Sequence, residues 1–221
     1  MPVVCESFDS LGFDEPGKRF RLGIMGGTFD PIHIGHLACA EQVREAFALD
    51  GVVFIPAGDP WMKRDRDVTP AHQRLAMVRC AVADNPAFDV SSVEIERPGA
   101  TYTVDTLRFL RGYYPDNVEL YFITGADAVL NILDWKDSDE LGKLAHIVAV
   151  TRPGFDLADG RHADIFGGSC FGCLHRFEIT ALAISSTDLR SKVASGRSIR
   201  YLTPSPVCDY IAENGLYRID A

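Results

Sequence analysis

The sequence predicts an α/β fold: a doubly wound parallel sheet flanked by helices, with a small C-terminal helical subdomain. Two observations carry the prediction. Short apolar runs alternate along the chain with stretches of helical periodicity, and strands separated by helices run parallel through right-handed crossovers. The first apolar run leads into a glycine-rich turn and then a helical pattern. At 221 residues and 47% apolar content, the chain has material for one substantial α/β core.

The elements follow in order. Residues 20–25 read as an edge-to-core strand, and residues 37–49 as a helix with Leu37, Ala40, Val43 and Phe47 at helical spacing. Residues 52–56 are the second strand, and residues 70–83 a helix with Leu75, Val78 and Val82 inward. A third strand over 88–95 precedes a helix over 104–110, and a fourth over 119–124 precedes a helix over 126–133. Residues 146–151 are the fifth strand; a short strand near Phe177 comes before the last helices. Residues 1–19 carry acids and glycines without an apolar period and lack the apolar centre of a secretion signal, so they read as a loose extension. The rest divides into a core over 20–183 and a helical segment over 184–221 of the same domain.

The turn after the first strand is the most informative stretch: Gly26-Gly27-Thr28-Phe29-Asp30-Pro31-Ile32-His33-Ile34-Gly35-His36. A strand, a glycine turn and a helix present free helix N-terminal amides, and the positive end of a dipole, to an anion. The three-residue spacing brings His33 and His36 to the same end of the helix. The stretch lacks both the G-x-G-x-x-G of dinucleotide-binding loops and the Gly-Lys-Ser/Thr of a P-loop, so those phosphate sites are excluded. A metal half-site or a polar cap would use the same two histidines.

Ligands of parallel sheets bind outside the carboxyl ends of the strands. Four polar segments fall there: the glycine loop, Ala57-Gly58-Asp59-Pro60-Trp61-Met62-Lys63, Gly125-Ala126-Asp127 and Arg152-Pro153-Gly154. A second pattern, Ile184-Ser185-Ser186-Thr187-Asp188-Leu189-Arg190, places small hydroxyl residues at a helix start with an arginine one turn on. An ordinary N-cap accounts for one of those serines without any ligand.

Net charge is −9, which argues against a nucleic-acid partner. No apolar run approaches the ~20 residues that span a bilayer, and a cytoplasmic protein is expected. Positive charge for a polyphosphate must be local, from Lys63, Arg64, Arg66, Arg152, Arg190 or Lys192. Cys5, Cys39, Cys80 and Cys208 are isolated. Cys170 and Cys173, with His175 two residues on, lack the second ligand pair of a structural zinc site, so free thiols and no bound metal are expected.

Taken together, the G-G-T-F-D-P-x-H-x-G-H and I-S-S-T-x-x-R patterns resemble the signatures of the nucleotidyltransferase superfamily. The narrower likeness is to bacterial nicotinate-nucleotide adenylyltransferases. It rests on the segment Glu94 to Leu107 with Thr101-Tyr102-Thr103, on Gly125-Ala126-Asp127, Trp135 and Arg152-Pro153-Gly154, and on the closing Gly215-Leu216-Tyr217, and it covers about residues 21–217. Where that family often has Pro-Pro-His-Lys, this chain has Pro60-Trp61-Met62-Lys63, which carries over the lysine and not the histidine.

The resemblance implies a Rossmann-like core and transfer of AMP from ATP to nicotinate mononucleotide, with Mg²⁺ accompanying ATP. It implies that His33 and His36 act toward the α- and β-phosphates and that Lys63 and Arg190 neutralise oxygens. Gly26, Gly27, Thr28, Phe29, Gly125, Asp127, Arg152, Ile184, Ser185 and Ser186 join His36 and Arg190 around ATP. Lys63, Tyr102, Thr103 and Trp135 hold the mononucleotide, with Trp135 stacked on the ring and Thr103 at its carboxylate. Two alternatives stay open: transfer to another phosphorylated acceptor, such as nicotinamide mononucleotide or phosphopantetheine, and a non-catalytic ATP-binding regulator. Assembly into a homo-oligomer is also left open.

Overall fold

Residues of alternating parity along each apolar run face opposite sides, and both sides are apolar, which is the pattern of strands covered on two faces. In the computed structural model, which describes residues 13, 17–59, 68–152, 174–180 and 182–218, six strands form one sheet. They are β1 (Phe20–Gly27), β2 (Gly51–Pro56), β3 (Phe88–Val90), β4 (Val118–Gly125), β5 (His146–Thr151) and β6 (Leu174–Glu178), in the order β3-β2-β1-β4-β5-β6. All five pairings are parallel.

The helices are α1 (Ile34–Ala46), α2 (Ala71–Val82), α3 (Val93–Glu96), α4 (Thr103–Tyr113), α5 (Ala126–Val129), α6 (Ser138–Leu144), α7 (Ser186–Ala194) and α8 (Ser205–Glu213). Leu22, Ile24, Leu120, Phe122, Ile147 and Ala149 pack with Val104, Leu107 and Leu110 of α4 and Leu141 of α6. On the other face Met25, Phe54, Ile123, Val148 and Val150 pack with Ala40 and Val43 of α1, Leu75 and Val78 of α2, Leu189 of α7 and Val207 and Ile211 of α8. Each fully buried aliphatic side chain here contributes ~1.5–3 kcal/mol relative to exposure, so the sheet carries the fold. Of the residues before β1, Phe13 packs edge-on against Phe20 and Tyr114, with ring centroids 5.2 and 5.4 Å away.

Three expected elements differ. β1 is central rather than an edge-to-core strand, with β2 on one side and β4 on the other. The expected third strand stops at Val90. Ser91 Oγ then accepts from the Val93 amide, Ser92 donates to Glu96, and the remaining residues turn into α3, because local hydroxyl bonds compete with the ladder. The helix expected over 126–133 ends at Val129 and is followed by a 3₁₀ turn at Ile132–Asp134. Among the described residues no helix is long and apolar enough to cross a membrane.

The strand order reverses between β1 and β4, since chain order runs outward from β1 in both directions. The loops leaving these two strands therefore diverge to opposite faces and leave a crevice. The glycine loop follows β1 and Gly125-Ala126-Asp127 ends β4, so both sequence signals border it.

Candidate active site

The glycine loop bends back to the start of α1, where His33 is the extended residue preceding the helix. His36, one turn on, accepts from the His33 amide through Nδ1 at 3.2 Å. The two imidazoles stack, with centroids 3.7 Å apart and planes 19° from parallel. His33 is buried, and its Nδ1 has no hydrogen-bond partner among the described residues. Burial pushes its pKa down to about 4, so the ring is neutral at physiological pH. Gly35 makes this packing possible: a Cβ there would lie 3.0 Å from His33 Nδ1 and 3.1 Å from Cε1.

Side chains far along the sequence hold the loop's carbonyls. Ser186 donates to Pro31 O at 2.9 Å, Arg190 to Asp30 O at 2.7 Å, and Thr203 to Ile32 O at 2.8 Å. Tyr217 donates its hydroxyl to Asp30 Oδ1 at 2.7 Å, while Asp30 Oδ2 accepts from the Thr69 amide. Ser185 is the N-cap of α7, accepting from the Asp188 amide at 3.1 Å. The ordinary cap and the functional motif are thus the same residues.

Arg74 is one residue that the sequence reading missed. On α2, with 1% exposure, it donates to four carbonyls: Thr69 at 2.8 Å, Thr28 at 2.8 Å, Ala57 at 2.7 Å and Gly58 at 3.2 Å. It binds the loop after β1 to the loop after β2. An arginine among helical apolar residues looks like a surface residue in sequence, and nothing local marks it. Gly58 is needed at this junction because a Cβ would collide with the Glu94 carbonyl.

Two cavities meet over the glycine loop, sharing Gly26, Gly27, Thr28 and Thr124. The larger, about 570 Å³, is walled by His33, His36, Phe29, Gly125, Asp127, Arg152, Ile184, Ser185 and Ser186. The smaller, about 200 Å³, is walled by Thr101, Tyr102, Thr103, Glu94, Trp135 and Lys136. Trp135 stands edge-on to Phe122 at 6.3 Å. Lys136, which sequence reasoning also missed, lies over the Tyr102 ring at 5.0 Å and pairs with Asp105 at 2.9 Å.

The structure thus brings together every expected site residue that it describes, with one qualification of place. Arg190 does not wall the larger cavity; its guanidinium is turned to Asp30 O and Thr187 Oγ1, because the loop's carbonyls lie within its reach. Lys63, Arg64 and Arg66 lie outside the described residues, as do Cys5, Cys170 and Cys173. Lys192 pairs with Asp188 at 3.4 Å. Burial raises the Cys39 thiol to about 11, so it is protonated and inert.

The chain is similar in sequence and in fold to known proteins. The family model described as cytidylyltransferase-like matches residues 24–192. A protein of Saccharopolyspora erythraea named "Probable nicotinate-nucleotide adenylyltransferase" is 51% identical over 201 residues, 91% of this chain and 91% of its own. One of the same name from Mycolicibacterium vanbaalenii is 51% identical over 202 residues, 91% of this chain and 94% of its own. The solved structure of Plasmodium falciparum nicotinic acid mononucleotide adenylyltransferase complexed with NaAD is similar with a TM-score of 0.72 at 20% identity, over 90% of this chain and 98% of that one. At that identity the likeness is one of fold.

Proposed function

The chain belongs to the nicotinate-nucleotide adenylyltransferases of the cytidylyltransferase-like family, and from this premise we infer that it transfers AMP from ATP to nicotinate mononucleotide in NAD biosynthesis. The observation that carries the mechanism is the junction of the two cavities over Gly26, Gly27 and Thr28. A nucleotide triphosphate in the larger and a phosphorylated acceptor in the smaller would meet at that loop. An acceptor phosphate oxygen forms the new bond to the α-phosphorus, the bond from that phosphorus to the bridging oxygen breaks, and pyrophosphate leaves with the electron pair. The products are nicotinate adenine dinucleotide and pyrophosphate.

The attacking phosphate has a second pKa of about 6 and is mostly deprotonated at neutral pH, so no strong base is required. The chain's task is positioning and charge stabilisation. We assign His33 as the donor to the α-phosphate: a neutral imidazole carries one N–H, and a nearby polyanion favours a second proton. His36 and the amides at the start of α1 act on the departing phosphates. Ser185 and Ser186 flank them, Arg190 fixes the loop from behind, and Lys63 adds its charge. Arg152 adds another at the rim, and Asp127 lies on the adenosine side. In the smaller cavity Trp135 stacks on the pyridinium ring, a flat cation that an indole face attracts, while Thr103 and Tyr102 receive its carboxylate.

Mg²⁺ belongs to the nucleotide substrate on this reading, where it neutralises charge across the phosphates. The residues fit that division. The larger cavity offers mainly imidazole, hydroxyl and amide donors, Asp30 is engaged by Tyr217 and Thr69, and no cluster of three acidic, histidine or cysteine residues exists among the described residues. Asp127 is the carboxylate left to share an ion held by the phosphates. A cytoplasmic location suits the ATP substrate and the free thiols of Cys39, Cys80 and Cys208.

Pyrophosphate release with ATP and Mg²⁺ tests the reading directly. It should be rapid with nicotinate mononucleotide and at least tenfold slower, in kcat/KM, with nicotinamide mononucleotide or phosphopantetheine. ATP binding without release for any acceptor would return the protein to the class of nucleotide-binding regulators.

A further inference from the structure

Beside the acceptor cavity lies a small recess of about 10 Å³, bounded by Gly26, Phe122, Glu94, Thr103 and Thr106 and by the apolar Ile24, Ile55 and Leu107. Its size admits about one water molecule. Glu94, Thr103, Gly26 and Phe122 border both spaces, so the recess continues the acceptor cavity into the core. Glu94 is 6% exposed. Thr106 donates to its Oε1 at 2.7 Å, and Arg97 in turn donates to Thr106 Oγ1 at 2.9 Å. A glutamate is rarely buried without a paired cation, and no ion pair to Glu94 is formed by the described residues. The charged groups acting on it at longer range are Arg97, through Thr106, and Arg74 from α2, while Lys136, paired with Asp105, borders the same cavity.

We propose that Glu94 is a specificity-determining residue for the acceptor: in its carboxylic-acid form it acts as a hydrogen-bond donor, through the recess beside Thr103, toward the carboxylate of the bound mononucleotide. The proposal rests on the smaller cavity being the acceptor site. Its chemistry follows from charge. An ionised Glu94 would set a second carboxylate against the substrate's own, a like-charge pair in a poorly solvated wall. The acid form instead supplies one O–H that a carboxylate accepts more strongly than an amide does. Burial raises the Glu94 pKa to about 7, opposed by the Thr106 hydrogen bond and by Arg97 and Arg74, so the group changes form within the working range of the enzyme.

The test is the pH dependence of KM for nicotinate mononucleotide between pH 6 and 9, with ATP saturating. In the unaltered enzyme KM should rise above pH 7, approaching tenfold per unit as the proton is lost. Glu94→Gln carries no ionisable group and should give a KM that stays level above pH 7. The acceptor phosphate titrates identically with both proteins, so the difference between the profiles belongs to Glu94. Thr106→Val removes a bond that favours the ionised form, and the rise should move to higher pH. Coincident KM profiles for the unaltered enzyme and Glu94→Gln overturn the proposal, as does a Thr106→Val profile displaced to lower pH. Pyrophosphate release by the unaltered protein is measured in the same experiment, so failure of the activity itself is distinguishable from failure of this role.

Discussion

Arg190 donates through Nη1 to the backbone carbonyl of Asp30 at 2.7 Å, joining the Ile184–Arg190 segment to the glycine loop across 160 positions of sequence. Its Nη2 reaches Thr187 Oγ1 at 3.2 Å, so one planar fork holds the glycine loop and the start of α7 in a fixed relation. Lysine keeps the charge but lacks the planar fork that directs one donor to each acceptor. Arg190→Lys should lower kcat/KM for ATP by roughly 10–100-fold, and Arg190→Ala by at least as much. Kinetics in which Arg190→Lys matches the unaltered enzyme would show that charge alone is required.

Gly35 is a second point of control. A Cβ there would press on the His33 ring at 3.0–3.1 Å, and neighbours that close must yield by a few tenths of an ångström. Gly35→Ala should reduce kcat about tenfold by displacing the imidazole, while α1 keeps or gains stability because alanine favours helices. A variant less stable than the parent with unchanged kcat would contradict this.

Removing Arg74 tests stability rather than chemistry. Arg74→Met leaves four carbonyls, of Thr28, Ala57, Gly58 and Thr69, without their donor. Unfolding in urea should show a loss of about 3–5 kcal/mol. A loss below about 1 kcal/mol would mean that the loops are held independently of it.

His33 makes stability depend on pH. Its pKa falls from 6.5 in the unfolded chain to about 4 in the fold, so between those values the unfolded state binds more protons. Stability is complete above pH 6.5 and declines as pH falls toward 4, by up to about 3 kcal/mol. His33→Asn should flatten that part of the curve, which chemical denaturation at pH 7, 5.5 and 4.5 would reveal. Parallel curves for the two proteins would refute a neutral buried imidazole.

Trp135 borders the smaller cavity, proposed to take the acceptor, and has no part in the larger one. Trp135→Ala should raise KM for nicotinate mononucleotide by roughly 10-fold or more, the worth of a stacked cation–π contact, and leave KM for ATP nearly unchanged. An effect confined to ATP would move the acceptor elsewhere.

The sequence by itself determined that parallel strands alternate with helices, that a glycine turn follows the first strand and that hydroxyl residues open α7, because these rest on local rules: parity of apolar residues along a strand, glycines at a turn, hydroxyl caps at a helix start. It also brought Thr103 and Trp135 to notice through resemblance. Where the local rules compete, it failed. Residues 91–96 carry enough apolar character for a strand, yet the Ser91 and Ser92 hydroxyls turn them into α3. Only the tertiary structure decided that β1 is central and flanks the crevice, since strand order depends on which faces must be covered. Only it showed that Arg74 and Tyr217 fasten the loops, that Lys136 borders the smaller cavity, and that Glu94 is buried beside it. Their meaning comes from partners up to 187 positions away, and from desolvation, which a linear pattern of residue types does not encode.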